Sequence, residues 1–169
     1  MIYLYHGTDR EIAIPIPSKG RKGTDFGQGF YLTPNLESAV NMAHRVARRK
    51  NTPESVVMCY ALDENQLVSA GLRIRSFLNI ERGWLRFVVA NRYFQKEASD
   101  HNLDGRWDVV HGFIADDRIV RLLDALVKGA TSEEEVLKAL RRSQFKSVQY
   151  SFHSEASVSL LKKIEVKYV

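Results

Sequence analysis

Residues 25–33 read Asp-Phe-Gly-Gln-Gly-Phe-Tyr-Leu-Thr, a turn with two glycines that leads directly into a short aromatic strand. Because glycine has no Cβ, Gly27 and Gly29 let the backbone lie against something flat or against a phosphate. Tyr31, where the chain leaves the turn, can stack its ring on an aromatic ligand. The local alternative is a glycine-rich entry to a strand, with Tyr31 half-buried in the core. No Gly-Lys-Ser/Thr follows, so this is not a P-loop, and the spacing does not fit a dinucleotide-binding fingerprint.

A second motif comes earlier, at the end of the first predicted strand. Residues 2–5 alternate Ile, Tyr, Leu, Tyr and stop at His6-Gly7-Thr8, which is typical of a strand end. Gly7 lets a ligand reach backbone N–H and C=O groups that can recognise a planar amide, and His6 offers a donor for a ribose hydroxyl. Taken alone, these residues are more simply a surface histidine in a turn.

A third segment lies near the C-terminus. Residues 148–153, Val-Gln-Tyr-Ser-Phe-His, are predicted to form a strand with Gln149 at its start. The amide of Gln149 can donate and accept hydrogen bonds, but it cannot act as a base. By itself it indicates no more than an ordinary edge-strand glutamine.

The remaining sequence predicts one α+β domain over residues 1–169, without repeats or a linker. The Pro- and Gly-rich stretch 13–29 is predicted to be a loop, and Asn35 or Thr33 is placed to cap the helix that follows. Strands are expected over 30–33, 56–61, 107–114, 148–153 and 164–169, and helices over 36–50, 75–93, 118–127 and from the capping box at 131–134 to about Arg141.

Composition limits the class of protein. The chain has 169 residues, a net charge of +5 and the single cysteine Cys59, and its apolar runs are too short to cross a bilayer. We therefore expect a cytoplasmic protein in a reducing compartment, without a membrane partner. His111 and His153 lack metal-ligand spacing, so no metal is predicted. The basic run 44–50 is either the solvated end of a helix or a surface that contacts nucleic acid or phosphate.

The order of the three segments resembles the catalytic domains of the diphtheria-toxin-like, poly(ADP-ribose)-polymerase-like branch of the ADP-ribosyltransferases. Those domains carry His-Gly-Ser/Thr, then Phe-Gly-x-Gly-Ile-Tyr-Phe and a Ser-Ala helix, and a final strand that begins with the third signature residue. The chain is also similar to a small bacterial family of uncharacterised domains that share Asp-Phe-Gly-x-Gly-Phe-Tyr-Leu-Thr and Ala-Asp-Asp. The resemblance reaches both ends, but residues 55–145 match only the latter family.

The resemblance implies a split antiparallel β-sheet with flanking helices around a cleft for NAD⁺. In that fold His6 is expected to bond the adenosine-side ribose, Gly7 to hold the nicotinamide amide through its backbone, and Tyr31 to stack on the nicotinamide ring. Gln149 takes the position of the glutamate that bonds the nicotinamide-ribose hydroxyl. Ser38 corresponds to a serine that contacts the carboxamide if a one-residue gap is allowed. Thr8 and Gly29 complete the predicted NAD⁺ contacts.

Two departures from the family pattern narrow the expected activity. Glutamine in place of glutamate is associated with loss of chain elongation, and a neutral amide stabilises a developing cation less than a carboxylate does. Asn41 falls near the position of the second ring-sandwiching tyrosine. The resemblance therefore implies a mono-ADP-ribosyltransferase that modifies RNA, DNA or protein, of the kind found as toxins in toxin–antitoxin or phage-defence modules, with an antitoxin as a possible partner.

Two alternatives to this enzyme remain open. The absent glutamate favours a non-catalytic module that binds NAD⁺ or ADP-ribose, and the basic charge favours a nucleic-acid-binding domain on a degenerate transferase fold. Asp108, Asp116 and Asp117 are candidates for the missing negative charge at the site. The simpler interpretation of Asp116 and Asp117 is a helix cap and an acid that complements the helix dipole.

Overall fold

A computed structural model of the chain describes residues 1–142 and 147–169. Within these ranges the chain forms seven strands and six α-helices, together with one 3-10 turn at Pro17–Lys19. In chain order they are β1 (Ile2–Thr8), β2 (Phe30–Leu32), α1 (Leu36–Lys50), β3 (Val56–Leu62), α2 (Glu64–Ser69), β4 (Ile74–Ser76), α3 (Arg82–Arg92), β5 (Val109–Phe113), α4 (Asp117–Val127), α5 (Glu133–Arg141), β6 (Val148–Phe152), α6 (Glu155–Val158) and β7 (Lys162–Tyr168).

The strands of the described residues form two sheets, which are joined by backbone hydrogen bonds at a single bridge. One is antiparallel with the order β1-β3-β7, and the other has the order β2-β6-β5-β4. Tyr5 of β1 and Thr33, just after β2, exchange two backbone hydrogen bonds of 2.8 and 2.9 Å that link the sheets. The α+β class is thus confirmed. The second sheet is not wholly antiparallel as predicted, because β4 and β5 run parallel.

Helix α1 covers the outer face of the β1-β3-β7 sheet. The side chain of Asn35 accepts the backbone N–H of Ser38 at its start, and Asn51 ends it in the left-handed conformation, with φ of 54°. Small buried side chains, Ala39, Ala43 and Ala47, line the face toward the sheet. They allow α1 to approach β1 so closely that a Cβ at Gly7 would overlap the carbonyl oxygen of Ala39.

Two apolar clusters lie on opposite faces of the β2-β6-β5-β4 sheet. The first packs α3, α4 and α5 against one face around the fully buried Trp84 and Phe87. The second fills the space between the two sheets and includes Leu4, Tyr60 and Phe152. Successive side chains of β2 point to opposite faces of the sheet. Phe30 and Leu32 therefore belong to the second cluster, while Tyr31 packs on the first.

The predicted helix 75–93 is wrong in its first part. Residues Ile74–Ser76 form β4, which pairs with β5, and the Phe77 N–H donates to the His111 carbonyl at 2.8 Å. Only residues from Arg82 onward are helical. The apolar spacing that predicted the helix is real in α3, but sheet pairing determines the preceding residues. The final strand begins at Lys162 rather than at residue 164, and the short helices α2 and α6 were not predicted.

Candidate active site at the fork between the sheets

Three neighbouring strands carry the three signature residues. β2 lies between β1 and β6, so His6, Tyr31 and Gln149 come from adjacent strands although they are far apart in sequence. Tyr31 is opposite Ser151 in the β2–β6 register, and continuing this register places Gln149 opposite Thr33. Because directly opposed residues share a face, Tyr31 and Gln149 project to the same side of the sheet.

The pairing of β1 with β2 stops at Tyr5 and Thr33, and we call the gap beyond this bridge the fork. A continued antiparallel register would place Gly7 opposite Tyr31, with the Gly7 N–H bonded to the Tyr31 carbonyl. Instead, Nδ1 of His6 lies 2.7 Å from that carbonyl oxygen. The imidazole thus occupies the acceptor that a regular ladder would give to the next backbone N–H.

The hydrogen bond at the fork fixes the chemical role of His6. A carbonyl oxygen only accepts, so Nδ1 carries the proton that is shared with Tyr31. Burial lowers the pKa of His6, against the opposing effect of its bond to Tyr31. The neutral ring therefore presents Nε2 as an acceptor. The sequence predicted a donor for a ribose hydroxyl, whereas this tautomer accepts a hydrogen bond from such a hydroxyl at Nε2.

Gly7 presents an unpaired backbone edge at the fork. The backbone N–H and C=O of Tyr5 point toward Thr33. Because these groups alternate in direction along a strand, those of Gly7, two residues later, also point toward the side of β2. Within residues 1–142 and 147–169 they have no hydrogen-bond partner. A donor and an acceptor side by side on one residue match the two polar groups of a carboxamide. The absence of a side chain at Gly7 serves the packing of Ala39 as well.

Tyr31 is held by its hydroxyl rather than left loose. The hydroxyl accepts the Phe26 N–H at 3.0 Å and lies 2.7 Å from the Gly27 carbonyl, to which it can donate, and 2.9 Å from the Thr24 hydroxyl. Burial raises the pKa of Tyr31, so the phenol stays neutral. Its ring contacts Phe26 and His153, with centroid distances of 6.4 and 6.3 Å. The segment 24–27 therefore fixes the plane of the ring.

Gln149 contacts a buried acid that the sequence analysis did not single out. Its side-chain nitrogen Nε2 donates to Oδ2 of Asp25 at 2.8 Å, and the Asp25 residue is only 4% exposed. The same Oδ2 accepts the Ala115 N–H at 2.9 Å, and Oδ1 forms an ion pair with Arg92. Burial raises the pKa of Asp25, and Arg92 counters this effect most strongly. The sequence signal that could have identified Asp25 is its position as the first residue of the 25–33 motif.

The two glycines of the 25–33 turn have structural reasons that need no ligand. Gly27 adopts φ of 91°, which only glycine tolerates readily. At Gly29 a Cβ would lie 2.6 Å from Nδ1 of His153 and 2.8 Å from the Phe152 carbonyl oxygen. His153 in turn donates from Nδ1 to the Gln28 carbonyl at 2.9 Å. What lies close to the backbone of Gly29 is therefore this histidine, and a contact between Gly29 and NAD⁺ remains a prediction.

Two other predicted contacts flank the fork. The Thr8 hydroxyl donates to Oδ1 of Asp9, which also accepts from the Lys50 ammonium at 2.7 Å. Thr8 therefore helps to fix the end of β1 to the end of α1. Ser38 lies in the first turn of α1 and is partly exposed beside Ala39, which packs on Gly7. This places Ser38 on the α1 side of the fork.

The acidic pair at the start of α4 has a structural role. Oδ1 of Asp116 accepts the backbone N–H groups of Arg118 and Ile119, both at 3.0 Å, and thereby caps the helix. Asp117 follows in the first turn, where its charge complements the helix dipole. The neighbour that reaches the site is Ala115, through its bond to Asp25.

The basic run lies along the C-terminal half of α1. Lys50 is paired with Asp9, but no ion pair involves Arg45, Arg48 or Arg49 in the described ranges. His44, Arg45 and Arg48 line an open groove of about 850 Å³ together with residues of the 51–55 turn. Among the described residues no group of His, Cys, Asp or Glu could hold a metal ion, and no helix is long and apolar enough to cross a membrane.

Comparison with known proteins gives a family but no activity. Residues 2–163 match the family described as protein of unknown function (DUF3990). The chain belongs to this family. No curated protein and no solved structure matches the chain. The match covers every strand that forms the fork, from β1 to β6, and also the Asp25 and Ala115 segments. The fork is therefore part of the family domain.

Proposed function

We propose that the chain is a mono-ADP-ribosyltransferase, which transfers ADP-ribose from NAD⁺ to a macromolecular acceptor and releases nicotinamide. One observation carries the proposal. Nδ1 of His6 donates to the Tyr31 carbonyl, and the N–H and C=O of Gly7, opposite the tyrosine, have no partner among the described residues. A planar carboxamide bonded to Gly7 would lie beside the Tyr31 ring, which is how the family that the sequence resembles is expected to hold nicotinamide.

Each residue has a definite part in this reaction. Gly7 binds the carboxamide through its backbone, with Ser38 as the side-chain candidate on the α1 side. Nε2 of His6 accepts a hydrogen bond from a hydroxyl of the adenosine-side ribose, and Tyr31 fixes the nicotinamide plane. The bond between nicotinamide and the ribose C1 breaks, and nicotinamide leaves with the bonding electron pair. The acceptor nucleophile forms the new bond to C1 and releases its proton to water. Gln149 contacts the nicotinamide ribose.

The neutral side chain at position 149 supports single transfer rather than polymer synthesis. Glutamine cannot take up a proton from the attacking hydroxyl of a growing chain, because its amide is not a base. The acceptor is a nucleic acid or a protein. An anionic acceptor is favoured by Arg45, Arg48 and Arg49, which form no ion pair in the part of the chain that the structure describes. Action as a toxin, restrained by an antitoxin protein in the cytoplasm, belongs to the same proposal.

A second candidate is a module that binds NAD⁺ or ADP-ribose without catalysis. The observation that favours it is again Gln149, since no carboxylate of the described residues replaces the glutamate on β6 itself. Binding requires only the Gly7 edge, His6 and Tyr31, whereas bond cleavage also needs stabilisation of positive charge on the ribose.

The experiment that separates these functions uses labelled NAD⁺ and cell lysate. Nicotinamide release is measured by chromatography, and the labelled products are then digested with protease or with nuclease. Label removed only by nuclease identifies a nucleic-acid acceptor, and label removed only by protease identifies a protein. NAD⁺ binding measured by calorimetry, without nicotinamide release or label transfer, supports the binding module. Neither binding nor release from the wild-type chain overturns both proposals.

Variants test whether the fork is the site. Tyr31→Ala removes the ring, and Tyr168→Ala removes a tyrosine that is 64% exposed on β7 and is the matched control. We expect Tyr31→Ala to lose NAD⁺ binding and nicotinamide release, while Tyr168→Ala keeps both. Equal activity of the two variants contradicts the assignment of the site.

A further inference from the structure

Asp25 is surrounded by hydrogen-bond donors. Its two oxygens receive the Gln149 amide nitrogen, the Ala115 N–H and the Arg92 guanidinium. A carboxylate oxygen accepts each of these without a proton of its own, so the arrangement suits the ionised form. The side chains of Asp25 and Arg92 are 5% and 16% exposed, which limits screening of this charge by water.

The contact with Asp25 determines how the amide of Gln149 is oriented. An amide has a donor nitrogen and an acceptor oxygen that differ in position by about 120° around one carbon, so only one of them can face Asp25. The nitrogen does so at 2.8 Å. Rotating the amide by half a turn would place its oxygen against a carboxylate oxygen, which is repulsive in a buried site. Oε1 of Gln149 is therefore held facing away from Asp25.

We propose that Asp25 is a positioning residue, which makes Gln149 a fixed hydrogen-bond acceptor for the nicotinamide-ribose hydroxyl of NAD⁺. This inference rests on the proposed function. The carboxylate polarises the amide toward its oxygen, because the negative charge beside Nε2 draws the N–H protons and increases the electron density on Oε1. The hydroxyl keeps its proton throughout, and Asp25 itself does not touch the substrate. Two residues thus replace the missing glutamate: the amide of Gln149 contacts the substrate, and the carboxylate of Asp25 orients that amide.

Arg92 and Ala115 complete this arrangement. The guanidinium of Arg92 compensates the cost of burying the Asp25 charge, and the Ala115 N–H fixes the carboxylate that Gln149 contacts. Ala115 directly precedes the capping Asp116 of α4. The Ala-Asp-Asp segment and the acid at the start of the 25–33 motif therefore meet in the structure through one hydrogen bond.

An exchange of the pair tests the proposal. Asp25→Asn removes the charge and allows either orientation of Gln149, so we expect kcat for nicotinamide release to fall by roughly 10- to 100-fold, with a smaller change in KM for NAD⁺. Gln149→Glu places two carboxylates in contact, so one of them must hold a proton and the variant is also impaired. In the double variant Asp25→Asn with Gln149→Glu, no second carboxylate repels the glutamate, but an asparagine nitrogen that faces it also faces the Ala115 N–H. We therefore expect kcat to rise above that of Gln149→Glu without reaching the wild-type value.

Asp100→Asn is the matched control for the loss of a paired carboxylate. Asp100 accepts from the side chain of Arg75 on β4 at 3.1 and 2.8 Å, and β4 is the edge strand farthest from β2 in its sheet. We expect it to keep wild-type kcat, with thermal unfolding recorded for every variant. The proposal is overturned if the fold-decreases in kcat of the two single variants multiply in the double variant. It is also overturned if Asp25→Asn keeps the wild-type kcat.

A second measurement does not require turnover. In protein labelled with ¹⁵N-glutamine, the side-chain NH₂ signal of Gln149 is assigned by its loss in Gln149→Ala. A proton held by a buried carboxylate exchanges slowly with water, so we expect protection in wild type and in Asp100→Asn and faster exchange in Asp25→Asn. Equal exchange in Asp25→Asn overturns the positioning role. A protected Gln149 signal in a wild-type chain that neither binds nor cleaves NAD⁺ rejects the proposed function, and with it the substrate contact, while leaving the orientation of the amide established.

Discussion

His6 and Tyr31 are joined by a hydrogen bond from an imidazole nitrogen to a main-chain carbonyl, 2.7 Å across the fork between the two sheets. In a regular antiparallel ladder the backbone N–H of Gly7 would donate to this carbonyl. The imidazole bond keeps β1 and β2 in contact, and it leaves the N–H and C=O of Gly7 without a partner among the described residues. The His6 ring packs against Phe30 in a tilted arrangement, with a centroid distance of 4.5 Å and an interplanar angle of 31°, which holds it in this position.

Two substitutions at His6 separate its two nitrogens. Asparagine places an amide nitrogen near Nδ1 and can keep the bond to Tyr31, but it lacks an acceptor at the Nε2 position. Alanine lacks both, and it frees the Tyr31 carbonyl to pair with Gly7. We expect NAD⁺ affinity, measured by calorimetry, to fall about 10-fold in His6→Asn, the effect of one hydrogen bond, and further in His6→Ala. Affinity that is equal in wild type and His6→Ala would falsify the role of the fork.

Tyr31 carries two separable contributions, its hydroxyl and its ring. Tyr31→Phe removes the bonds to the Phe26 N–H and the Gly27 carbonyl, so the free energy of unfolding is expected to fall by about 1–3 kcal/mol, because these partly buried groups lose a partner. The ring remains, so NAD⁺ binding should stay within a few-fold of wild type. Denaturant unfolding and calorimetry measure the two effects. A Tyr31→Phe variant that is as stable as wild type but does not bind NAD⁺ contradicts this division.

Much of the site could be predicted from the order of motifs. The strand and turn signals around His6, Tyr31 and Gln149 are local, and the adjacency of β1, β2 and β6 follows from the resemblance of the sequence to a known fold. The helix α1 was predicted with its observed bounds, because its apolar spacing and its Asn35 cap are both local features. The strand β4 was missed because its pairing with β5 depends on residues about 35 positions away.

Other features of the site could not be predicted from sequence. The contact of Asp25 with Gln149 joins residues separated by 124 positions, and the local signal for Asp25 is its place at the start of the 25–33 motif, which does not indicate its partner. The tautomer of His6 depends on a carbonyl of another strand. The glycines at positions 7 and 29 were interpreted as openings for a ligand, but Ala39 and His153 occupy the space that a Cβ would take. Sequence shows that a side chain is absent, and only the packing shows why.

Gly7 is expected to be the least replaceable glycine of the site. A Cβ there would overlap the backbone of α1, which cannot move as a flexible side chain can, so Gly7→Ala should lower the free energy of unfolding by at least about 3 kcal/mol. Gly83 in α3 is the control, since a Cβ there meets nothing within 4 Å. Gly83→Ala should raise stability by about 0.5 kcal/mol. Denaturant unfolding gives both values, and similar losses at the two positions would show that the contact between α1 and β1 is not tight.

His153 is expected to make the fold sensitive to mild acid. Burial lowers its pKa to about 4, against the opposing bond to the Gln28 carbonyl. An unfolded histidine titrates near pH 6.5, so the unfolded chain binds a proton first and the folded state loses stability as pH falls from about 6.5 to about 4. Above this window the histidine has no pH-dependent effect. The full difference corresponds to at most about 3 kcal/mol.

His153→Asn isolates this effect from the carboxylates that titrate in the same range. The asparagine nitrogen can still donate to the Gln28 carbonyl, but the side chain does not ionise. The free energy of unfolding is measured by urea denaturation at pH 7.0, 6.0, 5.0 and 4.5 for both proteins. Wild type should lose more stability than the variant on acidification, and the difference should develop mainly below pH 6.5. Parallel curves would mean that His153 has the same pKa in the folded and in the unfolded chain, so that burial does not control its charge.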